Sequence, residues 1–128
     1  MTDQDLFRVS NKACIYDEDK VLLLQNHSRV WELPGGHLDR EDENVNQGLS
    51  RELREETGME LVSSELVRLH TYQDSFAMFW VCRVRGDQVI LSEEHEDYEW
   101  VPIEELESYE LTFRELRDFI QDWAPMTS

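Results

Sequence analysis

The chain has 128 residues, 29 of them Asp or Glu and 12 Lys or Arg, for a formal net charge of −17. That length suits one compact domain, residues 1–128, burying about two thirds of its unfolded surface around a single core. The charge argues against nucleic acid as a general partner, because a phosphate backbone is bound by clustered Lys and Arg; a small anionic substrate instead needs local cations, which a metal held by carboxylates can supply.

In chain order, Phe7 to Tyr16 alternates apolar and polar residues, with Val9, Ala13 and Ile15 on one side, and reads as a strand. Asp17 to Lys20 turns the chain into the apolar run Val21-Leu22-Leu23-Leu24, a second strand buried on both faces, so the pair reads as a hairpin. Trp31-Glu32-Leu33 leads into Pro34-Gly35-Gly36, a turn. A helix is expected to start near Asp42 to Asn44, whose side chains suit capping, and to stop at Gly58, with Val45, Leu49 and Leu53 as its inward stripe. Leu66 to Thr71, Phe76 to Arg85, Val89 to Leu91 and Trp100-Val101 read as strands, with Gly86-Asp87 as a turn. Glu104 to Glu107 reads as a short helix, and Thr112-Phe113-Arg114-Glu115 as a capping box for a last helix ending near Trp123. Helices interrupting a set of strands give a layered α/β arrangement.

Two residue classes bear on compartment. Cys14 and Cys82 lie far apart, outside any CxxC or Cys-His cluster, and are expected as buried free thiols. The opening residues Met1 to Asp5 are polar, and no apolar run is long enough for a signal sequence or a membrane span, so a cytoplasmic protein without a membrane partner is expected. Lys12 and Lys20 stand beside ten arginines. Acidic excess with scarce lysine fits a high-salt cytoplasm, where repulsion is screened, and fits equally an ordinary acidic protein with an Arg-biased composition.

The densest chemistry is in Arg51-Glu52-Leu53-Arg54-Glu55-Glu56-Thr57-Gly58-Met59. At roughly 100° per residue, Glu52, Glu55 and Glu56 share one helix face. Three carboxylates so close repel one another, and a bound divalent cation is the simplest compensation. Magnesium takes oxygen ligands and keeps some of its waters, which suits two or three carboxylates beside a phosphate; Mn²⁺ also fits. The spacing of His27, His37, His70 and His95 gives no comparable support to a zinc site. In so acidic a chain any single Glu is unremarkable as a surface charge, and the joint spacing of Arg51, the apolar Leu53 and Met59, Gly58 and the upstream Gly35-Gly36 is what sets this string apart.

That string resembles the signature of the Nudix hydrolases, Gly, five residues, Glu, seven residues, then Arg-Glu-hydrophobic-X-Glu-Glu-X-Gly-hydrophobic. From Glu43 to Met59 the match is complete, whereas six residues, His37 to Asp42, separate Gly36 from Glu43. The added residue shifts Glu43 out of register with Gly36. The resemblance implies the family's α/β/α sandwich with a mixed sheet. It implies Glu52, Glu55 and Glu56 as metal ligands or water-activating groups, Gly36 as a carbonyl ligand, and Arg51 as the residue orienting a carboxylate. Leu91 to Val101 resembles the family's second recurrent segment, an acidic loop before a Trp-hydrophobic strand, which implies Glu94 as a further ligand or base.

The reaction implied is metal-assisted hydrolysis of a phosphoanhydride in a nucleoside diphosphate linked to another moiety. A small-molecule nucleotide is therefore the expected partner, while the sequence leaves oligomeric state open. No coenzyme A or NADH motif is evident, and the proline that follows the box in many ADP-ribose hydrolases is replaced by Asp74. The tyrosine expected for dinucleoside polyphosphate hydrolases is replaced by Phe76, which leaves a nucleoside triphosphate, oxidised or not, as the default. Phe7, Trp31, Tyr72, Phe76, Phe79 and Trp80 are candidates to stack a base, although aromatic residues on strands are more often core. Arg8, Arg29, Arg40 and Arg83 are candidates to meet phosphates. The alternative is a Nudix-fold module that binds a nucleotide without cleaving it, against which the retention of Glu52, Glu55 and Glu56 weighs.

Overall fold

The structure, a computed structural model, describes residues 8–72, 75–86 and 88–124. The expectations placed on Phe7, Asp74 and Asp87 lie outside the described residues. The first strand, β1 (Arg8–Asp17), sends successive side chains to opposite faces: Val9, Ala13 and Ile15 join one core, Cys14 and Tyr16 the other. The run in β2 (Lys20–Asn26) is buried on both sides, Val21 and Leu23 facing one core and Leu22 and Leu24 the other. The hairpin between them is short, pairing only Tyr16 with Val21 and Asp17 with Lys20. Beyond that corner the strands part. β1 continues beside β4 (Gly35–His37) and, in parallel, beside β6 (Ser75–Arg85), while β2 pairs with β3 (Trp31–Glu32) and β7 (His95–Pro102). β5 (Glu60–Tyr72) lies antiparallel to β6 at the edge, completing a seven-stranded mixed sheet.

Helix α1 (Val45–Thr57) starts where expected, at an Asn44 cap whose side chain accepts the Gln47 N–H at 2.9 Å. It ends where expected, at Gly58 in the left-handed conformation with φ 73°. Leu49 and Leu53 are fully buried against the face that holds Ala13, Ile15 and Trp80. Each stabilises the fold by roughly 1.5–3 kcal/mol. Asn11 fixes where the helix starts, donating to the Val45 carbonyl at 3.1 Å and accepting the Trp80 indole N–H at 2.9 Å. On the opposite face, α2 (Leu116–Trp123) buries Leu116 and Ile120 against Cys14, Val21 and Leu23. The sheet thus lies between two helices, as the α/β/α expectation required.

Several sequence expectations are corrected. Gly35 and Gly36, expected with Pro34 as a turn, lie instead in β4 against Asn11 and Lys12 of β1, where a Cβ on Gly35 would collide with the Asn11 carbonyl. Val89 to Leu91 forms no strand; the Ile90 N–H bonds the Thr57 carbonyl at 2.9 Å and its side chain lies over Gly58, so the segment closes the end of α1. The expected capping box does not form. The Thr112 N–H instead donates to the Trp31 carbonyl and Leu111 bridges to Trp31, while α2 begins at Leu116 with no side-chain cap from Glu115. β5 begins at Glu60 rather than Leu66, because irregularities between Leu61 and Ser63 and between Leu66 and Arg68 break the period-two pattern on this edge. β7 extends back to His95 through polar residues that one-sided burial does not demand. Ile103–Ser108 is a 3-10 helix around the expected Glu104 to Glu107.

Candidate active site

The helical period brings Glu52, Glu55 and Glu56 to one side of α1, and the sheet decides how far each is buried. Glu56, one turn after Glu52, is 4% exposed. One of its oxygens accepts the Gly35 N–H at 2.8 Å, anchoring the start of β4 to the helix. Burial pushes its carboxyl up to about 7, even though the Gly35 N–H and the charges of His95 and Lys12 favour ionisation. Glu52 is half-buried and also raised, first by burial; Arg51 opposes the shift, and Glu55 and Glu94 add to it. Glu55 is exposed.

Arg51 organises this face. Its Nε and Nη2 grip the two oxygens of Asp42 at 2.9 and 3.0 Å, Nη1 reaches Glu52 at 3.0 Å and Glu55 at 3.2 Å, and Nη2 also reaches the His37 carbonyl at 3.3 Å. The planar fork makes the paired grip on one carboxylate possible. The Arg51 guanidinium hydrogen-bonded to Asp42 holds that carboxyl below its usual range. Gly48, inside α1, supplies the room: a Cβ there would press on Leu38 and on the Asp42 carboxylate. Gly36 plays the same part for Glu52, since a Cβ on it would collide with the Glu52 carboxylate.

A third group arrives from the sheet. His95, at the start of β7, is buried and shares a hydrogen bond between Nε2 and a Glu32 oxygen at 2.8 Å. Its Nδ1 is buried without a hydrogen-bond partner, 4.0 Å from Glu56. Burial alone would lower the His95 pKa, but the Glu32 hydrogen bond and the charges of Glu56 and Glu32 outweigh it and leave it raised.

Gly36, Glu52, Glu55, Glu56 and Glu94 line one cavity together with His95. The predicted residues from helix, turn and acidic loop therefore meet, with Arg51 directly behind Glu52 and Glu55. Glu43 does not join them; it is exposed, and its N–H bonds the Gln47 side chain. Neither Arg8, Arg29, Arg40 nor Arg83 is among the residues lining this cavity. Of the candidate stacking residues, Trp80 is committed to Asn11 and Phe79 is core.

The sequence reading missed Lys12, Glu32, Asp42 and His95. In the sequence Asp42 stands out only as a capping residue, and His95 only as a member of the acidic segment around Glu94. Among the described residues no three His, Cys, Asp or Glu side chains converge closely enough to hold a metal as they stand, the Arg51 ion pairs drawing on Glu52 and Glu55. The donors still suit a hard divalent cation: they are oxygens, the charges of Glu55 and Glu94 add to the burial that raises Glu52, and among the described residues Lys12 is the only Lys or Arg lining the cavity.

Residues 6–123 match the family model for the NUDIX domain. A nucleoside triphosphatase, NudI, from Salmonella paratyphi B is 30% identical over 96 residues, covering 63% of this chain and 67% of that protein. Among solved structures, the MutT protein of Methanosarcina mazei Go1 superposes with a TM-score of 0.74 at 28% identity, over 94% of this chain and 95% of that one. A MutT Nudix hydrolase from Burkholderia pseudomallei shares the fold with a TM-score of 0.79 at 21% identity, over 94% and 100% of the two chains. With the family model spanning nearly its whole length and the box residues meeting in one cavity, the chain belongs to the Nudix hydrolase family.

Proposed function

We propose that this chain is a metal-dependent hydrolase that cleaves a phosphoanhydride bond of a nucleoside diphosphate linked to another moiety, with a nucleoside triphosphate as its substrate. The observation that carries the reading is the meeting of Gly36, Glu52, Glu55, Glu56 and Glu94 around one cavity. The NudI relative, a nucleoside triphosphatase by name, supports the choice of substrate. Glu52, Glu55, Glu56 and the Gly36 carbonyl would hold Mg²⁺, or Mn²⁺ in its place. Such an ion, when bound, neutralises phosphate charge and lowers the pKa of a coordinated water.

The residues divide the remaining work. Arg51 fixes Glu52 and Glu55, so the carboxylates present oxygens in a set direction rather than splaying apart under repulsion. Glu94, which lines the same cavity, would take a proton from the attacking water. Glu56, tied to the Gly35 N–H, keeps β4, which carries the Gly36 carbonyl, against the helix. That these residues form one Nudix domain is supported by the family match over residues 6–123, and a reducing compartment such as the cytoplasm by the free thiols Cys14 and Cys82. No helix among the described residues is long and apolar enough to cross a membrane.

Phosphate or pyrophosphate release from nucleoside triphosphates, nucleotide sugars, ADP-ribose and dinucleoside polyphosphates, with Mg²⁺ and again with EDTA, tests this reading. Turnover of a triphosphate that EDTA abolishes is expected. No turnover across the panel would replace the hydrolase with a non-catalytic nucleotide-binding module.

A further inference from the structure

Beside the carboxylate-lined cavity opens a second, mostly apolar one, walled by Leu33, Ala77, Phe79, Phe113 and Leu116. The two share Ser10, Lys12 and Glu32. In the wall of the second, His70 and Phe113 lie face to face, ring centroids 5.3 Å apart and planes 12° from parallel. Such walls accept a flat aromatic group by stacking and apolar burial.

Lys12 stands where the cavities meet. On β1 it pairs with Gly35 of β4 on one side and with Phe79 of β6 on the other, so one neighbour belongs to the glycine strand of the acidic cavity and the other to the wall of the apolar one. Among the described residues no other Lys or Arg lines either cavity. Among the described residues Lys12 has no carboxylate partner within 4.0 Å, although its charge reaches Glu32, Glu56 and His95. A long ammonium side chain between an acidic and an apolar compartment offers an anion its only direct side-chain cation on that path.

We propose that Lys12 positions a nucleoside 5′-phosphate, gripping the phosphate nearest the ribose while the base enters the apolar cavity and any further phosphates extend over Glu52, Glu55 and Glu56. The inference rests on the nucleotide-hydrolase reading and adds to it where each end of the substrate lies. A charge-assisted contact of this kind corresponds to on the order of tenfold to hundredfold in affinity.

Calorimetric titration in EDTA with the four common nucleoside 5′-monophosphates and their parent nucleosides tests it without requiring turnover. At least one monophosphate is expected to bind. Lys12→Met, checked for an unchanged melting temperature, is expected to weaken that binding about tenfold or more while leaving the nucleoside unaffected. Lys12→Arg should recover much of the loss, and Phe113→Ala should weaken nucleotide and nucleoside alike. The proposal is overturned if no monophosphate binds the wild type, if Lys12→Met binds it as well as wild type does, or if nucleoside affinity falls in parallel. Should this pattern hold while the hydrolysis panel stays silent, the hydrolase reading fails and the placement of the nucleotide stands.

Discussion

Arg51 serves three carboxylates with one guanidinium, and its geometry makes a conservative replacement informative. Arg51→Lys keeps the charge but cannot grip both oxygens of Asp42, so turnover should fall roughly 10- to 100-fold while the fold persists, read by steady-state kinetics beside circular dichroism. Glu55→Gln keeps size and removes a ligand charge; full Mg²⁺-dependent activity in that variant would sink the ligand assignment. Glu56 carries a pH prediction. Its carboxyl is raised from an ordinary 4.5 to about 7, so between those values the folded state holds a proton that the unfolded chain releases. Stability without metal should therefore fall as pH rises from about 4.5 through about 7, by roughly 3 kcal/mol. The raised His95 acts in the same direction, losing its contribution as pH passes above its folded pKa, while the lowered Asp42 acts oppositely, in acid. Melting scans against pH in EDTA should show this slope, Glu56→Gln should flatten it, and Mg²⁺ should raise the melting temperature most at the alkaline end.

At the level of elements, α1 does two things: its apolar stripe holds it to the sheet and its acidic side faces the cavity. Leu53→Ala should cost about 2–5 kcal/mol in denaturant unfolding, as a fully buried leucine in a packed core does. Gly48→Ala tests a subtler point. Alanine is the better helix former by roughly 0.5–1 kcal/mol, yet its methyl would push Leu38 and Asp42 away, so the variant should lose activity through Arg51 without gaining stability. The helix, its Asn44 and Gly58 ends and the shared face of Glu52, Glu55 and Glu56 were legible because each depends on residues within a few positions of one another. Lys12, Glu32 and His95 were not, because pairing between distant strands sets their places: Lys12 faces Gly35 across β1 and β4, and His95 reaches Glu32 only once β7 lies on β2. The Thr112 capping box failed for a related reason. Its backbone was already engaged by Trp31, a tertiary contact that local spacing does not announce.

For the molecule as a whole, a net charge of −17 on 128 residues means that like charges work against compaction at low ionic strength. Screening by salt should relieve this, and the melting temperature is expected to rise between dilute buffer and 1 M KCl; a flat or falling series would remove the high-salt reading of the Arg-rich, Lys-poor composition. The parallel pairing of β1 with β6 has a different bearing, on the order in which the protein is made. Arg8 pairs with Ser75 and Ile15 with Cys82, and the tryptophan that secures Asn11 lies on the later strand. A nascent chain that has emerged through Tyr72 carries every residue of the Gly36 to Gly58 motif but neither β6 to hold β1 in place nor His95 to meet Glu32. The motif is thus translated well before its cavity can exist, and its carboxylates cannot meet Glu94 and His95 until the second half of the chain closes the sheet.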